Sequence, residues 1–347
     1  MVMILALIFL LVDILYGIKV SEVNSSFFDK NNTQAMRGFW CLVVIFAHIP
    51  VSYQNRIQDM ISSFGYIAIT FFFMTSAYGL TLSRDSHPEM IVSFWRKRLP
   101  KLIIVSIVVD VFFYVIRLLM FGEYNSPLSL LYIDNWVRWL IGCFLAFWIA
   151  NKLFKEEKKW KIFASILVMI GSLVTYNLSK AGIMTSTIWP TECYGFIWGI
   201  ALATIKTCFF NAFSKNWIYK MLACLVLSLT LGGLYLQYKW IPFAGDYLLK
   251  ILLGIAITMF ILIANTRIYF GNKISMFLGG ISFELYLVHG YVINILDKYY
   301  SWDNSGAFIV CSFVISITCA YFIHLIDKNL IGMGKNICKY RMERGHS

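Results

Sequence analysis

Charge is what this chain has least of: only 14% of its 347 residues are Asp, Glu, Lys or Arg, where a soluble domain carries roughly 25%. With 59% hydrophobic residues and a mean hydropathy of +0.71, a soluble globular fold is excluded, because water could not wet such a surface. The chain also lacks a fixed-period repeat, a low-complexity segment and a Gly-rich phosphate loop. None of the cysteines Cys41, Cys143, Cys193, Cys208, Cys224, Cys311, Cys319 and Cys338 stands in a C-x-x-C pair, and most fall within apolar runs. That pattern excludes a disulfide framework and a zinc site. No stretch has the composition of a soluble domain appended to the rest.

What is present is a series of apolar runs of about 20 residues, enough to cross a ~30 Å hydrocarbon core as helices. The first is Val2–Ile18. Ten more follow: Met36–Tyr53, Phe64–Ser83, Leu99–Phe121, Trp136–Phe154, Phe163–Leu178, Cys193–Phe210, Trp217–Leu236, Tyr247–Asn265, Ile274–Leu296 and Ala307–Ile326. The expected fold class is therefore all-α, a polytopic transmembrane helix bundle with a ten-span core and one N-terminal membrane helix. The expected divisions are that helix and a linker over residues 1–30, a membrane domain over 31–330, and a basic tail over 331–347. The first run lacks a basic n-region and a small-x-small cleavage site and contains Asp13, so it reads as a retained helix rather than a signal peptide.

The net charge of +12 reads as topology rather than as nucleic-acid binding. Arg84, Arg96, Lys97, Arg98 and Lys101 lie on one connection, and Lys152, Lys155, Lys158, Lys159 and Lys161 lie on the next but one. Lys206, Lys215 and Lys220, then Arg267 and Lys273, then Lys328, Lys335, Lys339, Arg341 and Arg344 continue the series. The alternate connections hold only Arg56, Lys180, Lys239, Lys250 and Lys298. The positive-inside rule makes the richer set cytoplasmic, with the C-terminus inside and the N-terminus outside a plasma membrane crossed many times. Lys155-Glu156-Glu157-Lys158-Lys159 reads as a solvated loop.

Ionisable groups within the spans need a reason, since a bilayer penalises them. Arg138, His324 and Asp327 stand near span ends, where snorkelling to water suffices. Arg37 and His48 are eleven residues apart, within about 20° of three full turns, so they share a helix face with a rise of roughly 16 Å. With Arg37 at the cytoplasmic end, His48 lies past mid-membrane. Spacing alone leaves two readings: a packing hydrogen-bonder or a catalytic base. His289, about 15 residues into its run and so roughly 22 Å along it, reaches a similar depth. Ser282, seven residues earlier, shares its face, while Glu284 points elsewhere, toward another helix. Asp110 and Arg117, seven residues apart and so on one face, read either as satisfying each other or neighbouring helices or as binding substrate. Glu192, beside Trp189 and Pro190, reads either as an interfacial cap or as a substrate ligand.

These residues resemble the motifs of the membrane acyltransferase-3 family of bacterial sugar O-acyltransferases. The hallmark Arg-x10-His is Arg37 to His48. A Phe-rich helix ending in a small-residue and aromatic turn is Phe71-Phe-Phe-Met-Thr-Ser76-Ala77-Tyr78-Gly79, with Ala77 where the family usually has glycine. A basic stretch leading into a span is Phe94-Trp-Arg-Lys-Arg98-Leu-Pro100-Lys101. A late helix is Ile281-Ser282-Phe-Glu284-Leu-Tyr286-Leu-Val-His289-Gly290. The resemblance runs from Arg37 to His289 in family order, more loosely around Trp136 and over Glu192–Gly199. It implies transfer of an acyl group, often acetyl from acetyl-CoA, to a hydroxyl of a carbohydrate such as an exopolysaccharide, capsule or lipopolysaccharide. Acyl-CoA enters as co-substrate; no bound cofactor, metal or nucleic acid is implied, and membrane lipid is the surrounding partner. On this reading Arg37, His48 and His289 are catalytic, and Arg98, Lys101, Glu192, Ser282 and Glu284 bind substrate. A transporter of a small polar substrate is the alternative; it would carry an inverted repeat and paired broken spans.

Overall fold

The computed structural model describes residues 2–344 apart from 22–23, 25–26, 54–58, 60, 125, 127–129, 131–132 and 185–189; for 2–7 and 331–344 it describes the backbone alone. Arg56, Trp189 and the side chains of Lys335, Lys339, Arg341 and Arg344 thus lie outside the described residues. Among the described residues there are twelve α-helices. They are α1 (Val2–Leu15), α2 (Lys30–Ala47), α3 (Tyr66–Ser86), α4 (Phe94–Phe121), α5 (Asn135–Leu153), α6 (Glu157–Lys180), α7 (Tyr194–Ser214), α8 (Trp217–Tyr238), α9 (Lys250–Asn265), α10 (Lys273–Gly280), α11 (Ser282–Tyr299) and α12 (Ser305–Arg344). A π-helical turn, Ala244–Leu249, leads into α9. Among the described residues, seven of the helices, counting that turn with α9, are long and apolar enough to cross a membrane. The structure is an all-α membrane bundle.

Several expected boundaries move, each for a local reason. The run expected to reach Tyr53 ends as α-helix at Ala47, because Pro50 disfavours helical backbone in the residue before it; Val51–Tyr53 is a short 3-10 turn. At its other end α2 begins at Lys30, where the Asp29 side chain caps the Asn32 amide at 2.7 Å. The run expected over Ile274–Leu296 is broken: α10 stops at Gly280, Ile281 has φ −102° and ψ 12°, and α11 restarts at Ser282. The basic segment before the fourth helix is not a loop, since α4 starts at Phe94 and carries Arg96 to Lys101 in its first turns, with Pro100 inside. Glu157 to Lys159, expected in a solvated loop, form the first turn of α6. The expected tail continues α12 as helix to Arg344. The 14 residues of α1 span only about 21 Å, short of the hydrocarbon thickness.

The helices group into two compact units, Met1–Phe94 with Asn135–Gly280, and Trp95–Asp134 with Ile281–Ser347. In the first, α3 packs most extensively on α7. The two run parallel: Gly195 faces Thr70 and, a turn on, Gly199 faces Met74 and Ala77. A Cβ at Gly195 would overlap the Thr70 carbonyl, so glycine sets the interhelical distance by letting backbones touch. The fully buried side chains of this unit include Phe46, Phe71, Phe73, Phe147, Trp160 and Phe196. The helix α2 packs on α10, where Gln34 Nε2 donates to the Met276 carbonyl at 3.0 Å. A two-residue antiparallel bridge joins Lys19–Val20 (β1) to Ile268–Tyr269 (β2). The second unit consists of α4, α11 and α12.

Candidate active site

In the first unit Arg37 stands in the second turn of α2, half-buried. Its Nε donates to Thr75 Oγ1 of α3 at 3.3 Å, and Thr75 donates onward to the Phe72 carbonyl at 3.2 Å. No carboxylate pairs with this guanidinium among the described residues. Arg37 therefore presents a positive charge that donates to a neutral hydroxyl, a poised arrangement for an anionic or carbonyl ligand.

His48 lies at the C-terminal cap of α2 with φ −98° and ψ 1°. It is exposed at the helix end, one residue past Ala47, where α2 stops. Nδ1 lies 2.9 Å from the Val44 carbonyl. A carbonyl only accepts, so Nδ1 carries the hydrogen and, in the neutral ring, Nε2 holds the basic lone pair. The helix itself therefore selects the tautomer a general base needs.

At the same end of this unit the cap Gly65 of α3 packs against Ala47, so closely that a Cβ there would overlap the alanine's. The next residue, Tyr66, has its ring 4.7 Å from Lys250 Nζ and donates its hydroxyl to the Lys250 carbonyl at 3.1 Å. Lys250 Nζ in turn reaches Glu192 Oε1 at 2.6 Å, and Thr191 Oγ1 donates to Oε2 at 2.9 Å. Glu192 is 1% exposed and is the centre of a polar cluster rather than an interfacial cap. Lys250 is the first residue of α9.

The turn before Lys250 is unusual. Phe243 takes φ +63°, a region that L residues rarely occupy, and Ala244–Leu249 winds as a π-turn, a form frequent at functional sites. Asp246 holds it: Oδ1 accepts from the Phe243 amide and the Tyr176 hydroxyl, both at 2.8 Å, and Oδ2 pairs with Lys180 Nζ at 2.5 Å. Tyr247 bonds Ser172 at 2.7 Å and Tyr194 at 3.1 Å.

In the second unit Arg98 and Lys101 are exposed in the first turns of α4. Glu284, 1% exposed in the first turn of α11, accepts from His324 Nδ1 of α12 at 2.8 Å, as its direction away from His289 implied. His324 and Asp327 do not merely snorkel: His324 serves Glu284, and Asp327 is 2% exposed with both carboxyl oxygens lacking a hydrogen-bond partner among the described residues. His289 is buried against the Tyr286 ring at 5.5 Å between centroids. Because the helix restarts at Ser282, His289 stands only about 10 Å along α11, not 22 Å along a continuous span. Ser282, half-buried, opens that helix on the face of His289. Asp110 and Arg117 do not pair with each other. Asp110 accepts from Tyr291 Oη at 2.6 Å, and Arg117 donates to Asn294 at 3.1 Å, both on α11. Beyond α4, Lys298 hydrogen-bonds Glu123 and holds its carboxyl below the usual carboxylate range.

Arg37, His48 and Glu192 thus belong to the first unit, and Arg98, Lys101, Ser282, Glu284 and His289 to the second. Among the described residues no three His, Cys, Asp or Glu side chains converge as a metal site. A mainly apolar groove of about 760 Å³ between α6 and α7 holds none of these residues. Lys250 escaped sequence reading because its partner is 58 residues away; a lone lysine before an apolar run signals only a helix end.

No curated protein and no solved structure gives a significant match to the chain. The sequence profile of a family described as "Acyltransferase domain" does match, over residues 30–325. That interval contains every motif from Arg37 to His289, and it covers most of both compact units. The match covers well over half of a chain that folds as an apolar helical bundle, so the chain belongs to the acyltransferase-3 family and is a membrane acyltransferase.

Proposed function

We propose that the protein is an O-acyltransferase of the plasma membrane that moves an acyl group, most simply acetyl, from cytoplasmic acyl-CoA to a carbohydrate hydroxyl at the cell surface. The observation that carries this reading is the His48 Nδ1 contact with the Val44 carbonyl, on the helix that also bears Arg37. A ring fixed in this way accepts a proton at Nε2 and nothing else. As the acceptor oxygen bonds to the acyl carbon, its proton passes to His48 Nε2. The carbon–sulfur bond then breaks, and the coenzyme thiolate leaves and takes up a proton to become the thiol. Arg37 offers charge-assisted hydrogen bonds to the acyl oxygen or to the donor as it enters. Arg98 and Lys101, exposed at the start of α4, suit the coenzyme phosphates as fixed cations. His289 is assigned to orienting the donor or to the developing oxyanion, and Ser282 and Glu284 to its surroundings.

The test is acylation of surface glycans, read by mass spectrometry in cells with and without the protein. Loss of one acyl modification from a glycan in the deleted cells, restored by the wild type and not by His48→Ala, is expected. An unchanged acylation pattern would overturn the reading.

A further inference from the structure

At the His48 end of the first unit, Lys250 carries three N–H donors. One goes to Glu192 Oε1 at 2.6 Å, and another faces the Tyr66 ring at 4.7 Å. The third has no acceptor among the described residues, and the side chain is 19% exposed. Its glutamate is buried and satisfied on both oxygens. Around the pair stand ring faces: Tyr66 lies 5.7 Å from Tyr235, and Phe64 lies 6.2 Å from the same ring. A surface exchange of ions would not need a π-turn and a positive-φ phenylalanine to aim it, yet that turn delivers Lys250 to this point. Aromatic faces beside a fixed cation with an open donor suit a polyhydroxylated ring, whose C–H faces stack while its hydroxyls accept hydrogen bonds. Gly65 against Ala47 brings this array to the end of α2 that carries His48.

We infer that Lys250, held by Glu192 and floored by Tyr66, is a subsite for the carbohydrate acceptor, binding one of its hydroxyls beside the general base. This rests on the proposed reading of the protein as a carbohydrate O-acyltransferase and assigns the acceptor's residues within it. No covalent step involves Lys250.

The test uses the full-length protein in proteoliposomes, with acetyl-CoA as donor and, as acceptor, deacylated surface glycan from cells lacking the protein; released CoA is measured. Lys250→Met is expected to raise the half-saturating glycan concentration by about tenfold or more, the scale of a lost hydrogen bond to a charged group, and to leave that for acetyl-CoA unchanged. Should the single variant fail to fold because Glu192 is left buried and charged, the double variant Glu192→Gln with Lys250→Met removes both charges and is expected to show the same acceptor-selective rise. An unchanged glycan constant, or equal rises for glycan and acetyl-CoA, in a folded variant would overturn the subsite alone. Wild-type protein whose CoA release no glycan stimulates would overturn the carbohydrate reading, and the subsite with it.

Discussion

Glu284 and His324 meet across two helices at 2.8 Å, 40 residues apart in the chain, with the carboxylate almost wholly removed from solvent. A buried carboxylate needs its donors, so this contact locks α11 to α12. His324→Leu is expected to leave Glu284 without that donor and to destabilise the fold by about 1–3 kcal/mol. Thermal unfolding of the detergent-solubilised protein measures it, with Glu284→Gln the milder variant. An unshifted midpoint in His324→Leu would mean that the pair contributes nothing.

His48→Ala should abolish acyl transfer, a loss of roughly 10²–10⁴-fold if the residue is the general base. The ring is exposed at a helix cap, so its removal leaves no cavity, and the variant should insert and fold normally. Near-normal surface acylation by that variant would exclude the catalytic role.

Neutralising Arg98 and Lys101 together should raise the Michaelis constant for acyl-CoA more than that for the acceptor. Arg37→Ala should have the larger effect, because no neighbouring cation substitutes for it within the helix, whereas Arg96 and Lys97 flank the other two. Kinetics on inverted vesicles with varied acyl-CoA decide this. An unaltered donor constant in the double variant would leave the α4 cluster as a topology anchor.

Orientation is open to direct chemistry. A cysteine placed at Ser126 should react with a membrane-impermeant thiol reagent added outside intact cells, once any outer membrane is permeabilised, above the background of the unaltered chain. One placed at Ser93, before α4, should react only after lysis. The reverse pattern would invert the bundle and put the proposed coenzyme side outside.

Gly195→Leu should be severely destabilising, since its first side-chain atom already meets the Thr70 carbonyl. Overpacking of this kind typically costs about 1–3 kcal/mol, and here the obstacle is backbone, which cannot rotate away. Gly142 and Gly171 have no heavy atom within 4 Å of an added Cβ, so alanine at either should be tolerated. Equal expression and melting of all three variants would contradict the α3–α7 contact.

By itself the sequence determined the all-α membrane class and most helix positions, because long apolar runs in a low-charge chain have no other stable disposition. It also set Arg37 and His48 eleven residues apart, which the fold turns into one residue inside α2 and one on its C-cap. Pro50, visible in the sequence, even carried the reason that α2 stops at Ala47. The break at Ile281 was not legible: Gly279-Gly280 serves equally for close packing inside an unbroken helix. Only the tertiary structure decided that Glu192 belongs with Lys250, Glu284 with His324, and Asp110 with Tyr291. Each ionisable group had to find some partner in a medium of low dielectric, and the sequence stated that need. Which helix supplies the partner depends on which faces pack together, a relation between segments far apart in the chain that no spacing along it records.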